Sequence, residues 1–302
     1  MSAPALAVQE LWDSIIDYLT SSHDYSSAAL VCRSFVPRAQ RNLFRVVVIE
    51  KQPWPAMDFY NPGSPNPGIS STLVARRLAT LLDESPHLLP YIQTLEIADS
   101  GPKCYDILAR IPWSHLQTLI IRLLAFLQTS CFEHIKALAG INSLRGLYFA
   151  RHADPWSIRQ ILPASQSLTS LRLSHQDWTR IRDAGTAALS TSRRPRIEKL
   201  SLKTCTGVTV FLAQVFDFEG LRTLELIESF TPDMPEFLSR FGSTVESITL
   251  SPPEWEPDRY KDADGLNLGC YFPHLTTIKF TSSPTATIDA GRMYPILPLV
   301  GR

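Results

Sequence analysis

The stretch Leu221-Arg-Thr-Leu224-Glu-Leu226 follows a pattern, apolar-x-x-apolar-x-apolar, that recurs along most of this 302-residue chain. The eight copies of the pattern open at Ile92, Leu116, Leu144, Leu168, Ile197, Leu221, Val245 and Leu275. Successive copies start 24, 28, 24, 29, 24, 24 and 30 residues apart. Because a chance pattern of apolar residues would not keep such a spacing, the sequence predicts a structural repeat.

Each copy predicts one short strand. Its last four residues alternate between apolar and other positions with period two, as a half-buried strand does. A strand this short is not stable alone, so neighbouring copies are expected to stack into one parallel sheet. The β-branched stretch at residues 45–50 is a further strand candidate and is expected to start the sheet.

The segments between the strands are typical of short helices that close the core against the sheet. Ser130 with Glu133 has the spacing of a capping box, and Asp233 with Glu236 repeats it. Further helix candidates are residues 72–82, 156–162 and 208–216. The expected fold class is therefore α/β.

This repeat resembles that of leucine-rich repeat proteins, over about two thirds of the chain. The resemblance implies a solenoid at residues 72–302 with about eight repeats, a parallel sheet on the concave face, and helices or irregular turns on the convex face. The chain departs from the family pattern because no regular Asn or Cys follows the strand. Side chains at that position usually form a ladder that holds the turn.

Residues that point away from the core on each strand are the natural contact surface of such an arc. The candidates for binding a protein target are Glu96, Ile120, Tyr148, Arg172, Ser201, Lys203, Glu225 and Lys279. Tyr148 and Arg172 come first among them, because Tyr and Arg are enriched in interface hot spots. The alternative interpretation is that each is an ordinary solvated strand residue.

The first 50 residues differ from the repeats. Helical patterns at 10–19 and 26–35 are separated by a polar break at 20–24. The apolar residues of the first pattern share one face at helical spacing, and they are Leu11, Ile15, Ile16 and Leu19. Because a segment this short buries little surface, we expect a partner protein to complete the core of these helices.

This N-terminal segment carries a recognisable order of residues: Leu6-Ala-Val-Gln-Glu-Leu11, Ile15-Ile-Asp-Tyr-Leu19, Leu30-Val-Cys-Arg-Ser-Phe35 and Leu43-Phe44. It resembles an F-box, particularly the fungal type that continues into degenerate leucine-rich repeats. The family pattern opens with Leu-Pro, whereas Ala7 and Val8 stand here in place of the proline. The run from Leu30 to Phe35 is the most specific part of the match.

The resemblance implies that residues 1–50 dock onto a Skp-type adaptor and so join a cullin-RING ubiquitin ligase. The repeats would then present a protein substrate, and the chain would have no active site of its own. By the match, the residues that contribute to the adaptor contact or its supporting core are Leu6, Leu11, Ile15, Ile16, Leu30 and Val31. Residues 51–71, which are rich in proline and glycine, are expected to connect the two parts.

A second interpretation is a repeat scaffold outside any ligase, whose N-terminal helices cap the exposed end of the solenoid. The docking interpretation and the capping interpretation predict different exposure for Leu11, Ile15 and Val31. A cap buries these side chains, whereas a docking module leaves an apolar patch.

Composition excludes several classes of function. The 29 basic residues equal the 29 acidic ones, so no global field would draw the chain to nucleic acid or to a membrane surface. The longest apolar stretch, at 118–127, is interrupted by Arg122, and the start of the chain is unlike a signal peptide. The five cysteines are expected to be reduced and mostly buried, which fits a cytoplasmic or nuclear protein.

Catalytic and metal signals are weak. His152 with Asp154, and His175 with Asp177, share a two-residue spacing just after a strand, where polar turn residues are expected. No phosphate-binding loop, HExxH or GxSxG motif occurs in the sequence. We therefore expect a binding protein without a cofactor or metal, rather than an enzyme.

Overall fold

A computed structural model describes residues 3–50, 70–98, 101–122, 129–150, 158, 161, 164–178, 194–229, 234–251 and 268–281. The chain divides into two compact units, Met1–Tyr148 and Phe149–Arg302. Residues 51–69 of the connector expected at 51–71, the first His-Asp pair, Asp233 and most of the helix candidate at 156–162 lie outside the described residues.

The first unit begins with three helices, α1 (Ala3–Asp17), α2 (Ser22–Val31) and α3 (Val36–Phe44). Strands and helices then alternate as β1 (Val46–Ile49), α4 (Ser71–Glu84), a 3-10 helix (Pro86–Tyr91), β2 (Thr94–Ala98), α5 (Pro102–Ala109), β3 (Thr118–Arg122), α6 (Thr129–Ala139) and the start of β4 (Gly146–Ala150). Strands β1, β2 and β3 are parallel and lie in chain order, and β4 lies next to β3.

The second unit repeats this alternation. Its elements are β5 (Ser170–Asp177), β6 (Lys199–Thr206), α7 (Thr209–Val215), β7 (Thr223–Ile227), α8 (Met234–Phe241), a 3-10 helix (Gly242–Thr244), β8 (Ser247–Ser251), α9 (Leu268–Tyr271) and β9 (Thr277–Phe280). The five strands are parallel and lie in chain order.

Strand register follows the repeat. Leu200 pairs with Leu224, and Leu224 pairs with Ile248, so the middle apolar residue of one copy lies beside that of the next. At the start of seven strands, β2 to β4 and β6 to β9, a single carbonyl of the preceding repeat also accepts hydrogen bonds from two N–H groups. The Glu198 carbonyl, for example, accepts from Arg222 at 2.9 Å and from Thr223 at 3.0 Å. These shared hydrogen bonds fix the register between neighbouring strands. The register matters because a slip by one residue would turn the apolar side chains of a strand away from the core.

The apolar positions of the repeat form the core. The opening residue is fully or almost fully buried in seven of the eight copies, and Leu275 is half-buried. Leu95, Leu119, Leu171, Leu200, Leu224 and Ile248 are at most 1% exposed. Burying one such side chain stabilises the fold by about 1.5–3 kcal/mol, so the repeated pattern is the main source of stability.

The structure confirms the α/β class and a strand in every one of the eight copies, together with the strand expected at 45–50. Helices α4 and α7 match the candidates at 72–82 and 208–216 within two residues. The expected cap at Ser130 is wrong, because α6 already begins at Thr129. Helix α5 was not expected from the sequence. Its signal is Gly101 followed by Pro102, since proline is favoured in the first helical turn.

Among the described residues, no helix combines the length and the apolar content that a membrane crossing requires.

Candidate protein-docking surfaces

The three N-terminal helices bury very few of their own side chains. Between Val8 and Arg45, Ile16 and Ala39 are the only buried residues among the side chains that the structure describes. Helix α2 has no buried residue at all. A set of helices with so little core of its own leaves much of its apolar surface in water.

That apolar surface is concentrated on α1 and at the end of α2. Leu30 is 88% exposed, Val31 71%, Leu11 60% and Ile15 45%. On α1, the exposed positions 8, 11, 12 and 15 recur at three- and four-residue spacing and therefore share one face. We call the exposed residues Val8, Leu11, Trp12, Ile15, Leu30 and Val31 the N-terminal apolar patch.

The other two residues implied by the family resemblance are placed differently. Ile16 is 2% exposed and belongs to the supporting core rather than to the patch. Leu6 lies in α1, but its side chain is outside the part that the structure describes.

Helix α1 is held against α3 by a polar clamp. The Asp17 carboxylate accepts hydrogen bonds from Arg38 Nε at 2.7 Å and from Asn42 Nδ2 at 2.9 Å. The bond from Arg38 is the main cause that lowers the pKa of Asp17 from 3.8 to about 2. Trp12 packs on Phe35 with ring centroids 5.3 Å apart, which holds the middle of α1 at the start of α3. The part of the patch on α1 is thus carried on a positioned helix.

Helix α2 starts earlier than the sequence pattern indicated. Ser21 caps it by accepting a hydrogen bond from the Asp24 N–H at 3.1 Å, so residues 22–24 belong to the helix and not to a polar break. The signal for this start is Ser21 followed three residues later by Asp24, which is a typical helix start. Sequence reasoning missed it because the early α2 residues are polar.

All five cysteines are free, and three of them are buried, as the sequence predicted. Cys32, next to Val31 in the patch, is exposed, and its thiol lies 2.9 Å from the Ser34 hydroxyl. That hydrogen bond lowers the pKa of Cys32.

The predicted contact residues lie on the sheet face opposite the apolar core, which we call the helix-free face because none of the described helices packs on it. In the first unit, one of these residues is buried rather than exposed. Glu96 is only 8% exposed, because its Oε1 lies 2.5 Å from Nη2 of Arg122, which covers it. Glu96, one of the predicted contact residues, is therefore buried in the structure, and its role in binding a target stays a prediction. Ile120 and Tyr148 are half-buried, whereas Val46 and Val48 on β1 are exposed.

In the second unit the same face is polar. Arg172 and Lys279 are exposed, and the other predicted contact residues, Ser201, Lys203 and Glu225, are half-buried. The Ser201 hydroxyl donates to Glu225 Oε2 at 2.5 Å, so part of this face is hydrogen-bonded across neighbouring strands.

Strands β5, β6 and β7 end in an unusual conformation at one repeat position. His175, Thr204 and Glu228 have φ of 55°, 52° and 51°. Such values are costly for residues with a Cβ, and most of all for β-branched Thr. The Thr204 hydroxyl donates to Glu228 Oε2 at 3.0 Å, which links two of these residues.

One residue further along, a ladder of buried side chains holds the turns. The Gln176 backbone hydrogen-bonds the Cys205 thiol, and the Cys205 N–H donates to the Ser229 hydroxyl at 3.0 Å. All three residues are at most 1% exposed. The sequence lacks a regular Asn or Cys here, yet the Gln176 backbone and the side chains of Cys205 and Ser229 link the three turns. Burial raises the pKa of Cys205 to about 11, so the thiol stays protonated.

No group of three or more His, Cys, Asp or Glu side chains in the described part of the chain is placed to hold a metal ion. His175 is exposed on its turn. No family model matches the chain, and no curated protein matches it. The candidate sites are therefore the N-terminal apolar patch and the helix-free sheet face of each unit.

Proposed function

We propose that this chain is the substrate-recognition subunit of a Skp-cullin-F-box ubiquitin ligase. Helices α1–α3 dock onto a Skp-type adaptor, and the strand-helix repeats, as a degenerate leucine-rich-repeat solenoid, bind a protein target. In this role the chain is not an enzyme and needs no cofactor, since other subunits transfer ubiquitin. It works in the cytoplasm, the nucleus or both.

The observation that supports the adaptor contact is the exposure of apolar side chains on helices that lack a core. Leu11, Ile15, Leu30 and Val31 are exposed, although side chains of these types are usually buried in folded proteins. An exposed apolar cluster on a positioned helix is typical of a protein-binding site. Two of the four, Leu30 and Val31, open the run that most resembles the F-box.

The target contact rests on the sheet face. Arg172 and Lys279 are exposed there, with Ser201, Lys203 and Glu225 half-buried beside them. In the first unit, the exposed Val48 and the half-buried Ile120 and Tyr148 add apolar side chains on either side of the Glu96–Arg122 pair. A mixture of aromatic, apolar and charged side chains fits a protein target better than nucleic acid, which requires a basic surface.

The capping alternative accounts for α3 but not for α2. Ala39 of α3 is buried, and the Arg45 carbonyl just after α3 accepts two N–H groups of the first repeat, from Gln93 and Thr94, each at 3.0 Å. Helix α3 therefore continues into the repeats as a cap would. Helix α2, without a buried residue, does not contribute to such a cap, and its exposure favours docking.

Co-expression with a Skp-type adaptor, followed by size-exclusion chromatography, tests the proposal. We expect the adaptor and this chain to co-elute, and the double variant Leu11→Asp with Ile15→Asp to elute alone. Two charges placed in an apolar contact must be desolvated without partners, which costs several kcal/mol and removes binding at micromolar concentration.

The matched control carries Leu73→Asp and Val210→Asp, on α4 and α7. These side chains lie outside the patch. Their exposed fractions, 40% and 55%, are similar to those of Ile15 and Leu11. The control should still co-elute. A monomeric wild-type chain that ignores the adaptor would leave the capped scaffold as the better account.

A further inference from the structure

The second unit contains a cavity of about 680 Å³ that none of the surfaces above includes. It lies where the chain enters strands β6, β7 and β8, next to the ends of α7 and α8. Three arginines, Arg194, Arg196 and Arg240, line it together with Asp217 and Glu219. The volume is within the range of sites that hold small ligands.

The three arginines have no carboxylate partner among the described residues, where ion pairs are otherwise common. Arg222 makes the contrast, because it lines an adjoining cavity of about 280 Å³ and pairs with Glu246 at 3.7 Å. Three arginines thus line one cavity, all three exposed to solvent, with their hydrogen-bond donors unused by the acidic side chains that the structure describes.

The two carboxylates in the wall neutralise the three arginines only in part. Asp217 Oδ1 accepts a hydrogen bond from the Glu219 N–H at 2.8 Å, and the Asp217 backbone bonds to Pro195 and Ile197. Asp217 therefore serves to hold the segment that carries Arg194 and Arg196. With three arginines and two carboxylates, the wall keeps an excess of one positive charge.

Two of the arginines have close neighbours in the structure. Arg196 lines both this cavity and the adjoining one, and it lies over Gly220 of the adjoining cavity, where an added Cβ would come within 2.3 Å of its Nε. The absence of a side chain at Gly220 thus leaves room for the guanidinium. The Arg240 guanidinium lies 4.9 Å from the centre of the Phe241 ring.

We propose that this cavity binds a phosphate group, with Arg194, Arg196 and Arg240 donating to its oxygens. A phosphate offers three peripheral oxygens and up to two negative charges, which suits three guanidinium groups better than the two oxygens of a carboxylate. The Ser243 hydroxyl, exposed at the same cavity, adds a further donor. The site is separate from the adaptor patch and does not depend on the proposed ligase role.

Calorimetric titration of the full chain at constant ionic strength tests this site, with inorganic phosphate and phenyl phosphate as probes. We expect saturable binding of one phosphate per chain. Similar affinity for the two probes would identify free phosphate as the natural source. Affinity about tenfold or more higher for phenyl phosphate would identify a phosphate carried on an organic molecule, since the ring adds apolar contact.

Three variants make the test specific. Arg194→Gln with Arg240→Gln should weaken binding by about tenfold or more, because charge-assisted hydrogen bonds are lost. Gly220→Ala keeps every charge but displaces the Arg196 guanidinium, and should weaken binding by about threefold to tenfold. The control, Arg76→Gln with Arg77→Gln on exposed positions of α4, removes the same charge elsewhere and should change affinity by less than about twofold.

Thermal unfolding of each variant checks that the fold is kept. The proposal is overturned if neither probe binds the wild-type chain, or if the α4 control weakens binding as much as the cavity variants. Equal losses of affinity in the α4 control and in the cavity variants would mean that the net charge of the chain, and not the cavity, attracts the anion.

Discussion

The N-terminal helices and the repeats use similar apolar residues in opposite ways. In the repeats, leucines such as Leu200 and Leu224 are at most 1% exposed, whereas Leu11 and Leu30 on the helices are 60% and 88% exposed. The difference comes from neighbours, because each repeat strand has another strand on its side and helices over its apolar face. Among the described residues, helices α1 and α2 pack mainly on α3 and on the turn before it. Apolar content alone therefore does not distinguish a core from a docking surface.

The largest expected effect is on the repeat core. Leu224→Ala removes a fully buried side chain between Leu200 and Ile248 and should lower the free energy of unfolding by about 2–5 kcal/mol. Leu11→Ala, with the same change in chemistry, should shift it by less than about 0.5 kcal/mol because the side chain is exposed. Urea unfolding of both variants measures the contrast, and similar losses would contradict it.

An intermediate effect is expected in the ladder. Ser229→Ala leaves the buried N–H of Cys205 without its acceptor, which should cost about 1–3 kcal/mol. Ser243→Ala, at an exposed serine of the same unit, is the control and should have almost no effect on stability. Hydrogen exchange at the Cys205 amide should also become faster in Ser229→Ala. Unchanged protection of that amide would show that Ser229 does not hold the turn.

The smallest effect is expected at the clamp between α1 and α3. Asp17→Asn should lower the free energy of unfolding by about 1 kcal/mol or less, since the pair is partly exposed to water. Because the folded-state pKa of Asp17 is lowered from 3.8 to about 2, its contribution is present above pH 3.8 and is lost as the pH falls through about 2.

Unfolding of the wild type and Asp17→Asn between pH 2 and pH 6 follows this contribution, and the two stability curves should converge at the acid end. A constant difference across that range would assign the loss to packing rather than to the carboxylate charge.

Much of the fold is readable from the sequence because the repeat is regular. The position of every strand from β2 to β9 follows from the same six-residue pattern, and the β-branched run before residue 50 indicates β1. The residues at which helices begin were less predictable than the strands. The start of α2 depends on one Ser21 side chain, and α5 on Gly101 before Pro102, which are weaker signals than periodicity.

The candidate sites were only partly predictable. The sequence did not predict whether Leu11, Ile15, Leu30 and Val31 are exposed. Periodicity shows which residues share a face of a helix, but it does not show which other segments cover that face. The burial of Glu96 beneath Arg122 depends on two strands that are adjacent in space and 26 residues apart in the chain. The arginine cavity combines three segments, and no single stretch of sequence indicates it.

The sequence by itself determined the repeat, its spacing and its apolar core, since these depend on local periodicity and on the tendency of apolar side chains to leave water. It also carries the order of residues that resembles an F-box. Only the tertiary structure decided that Gln176, Cys205 and Ser229 form a ladder, that Glu96 is covered, and which apolar side chains remain exposed. The physical reason is that burial and hydrogen bonding depend on neighbours that the fold brings together from distant parts of the chain.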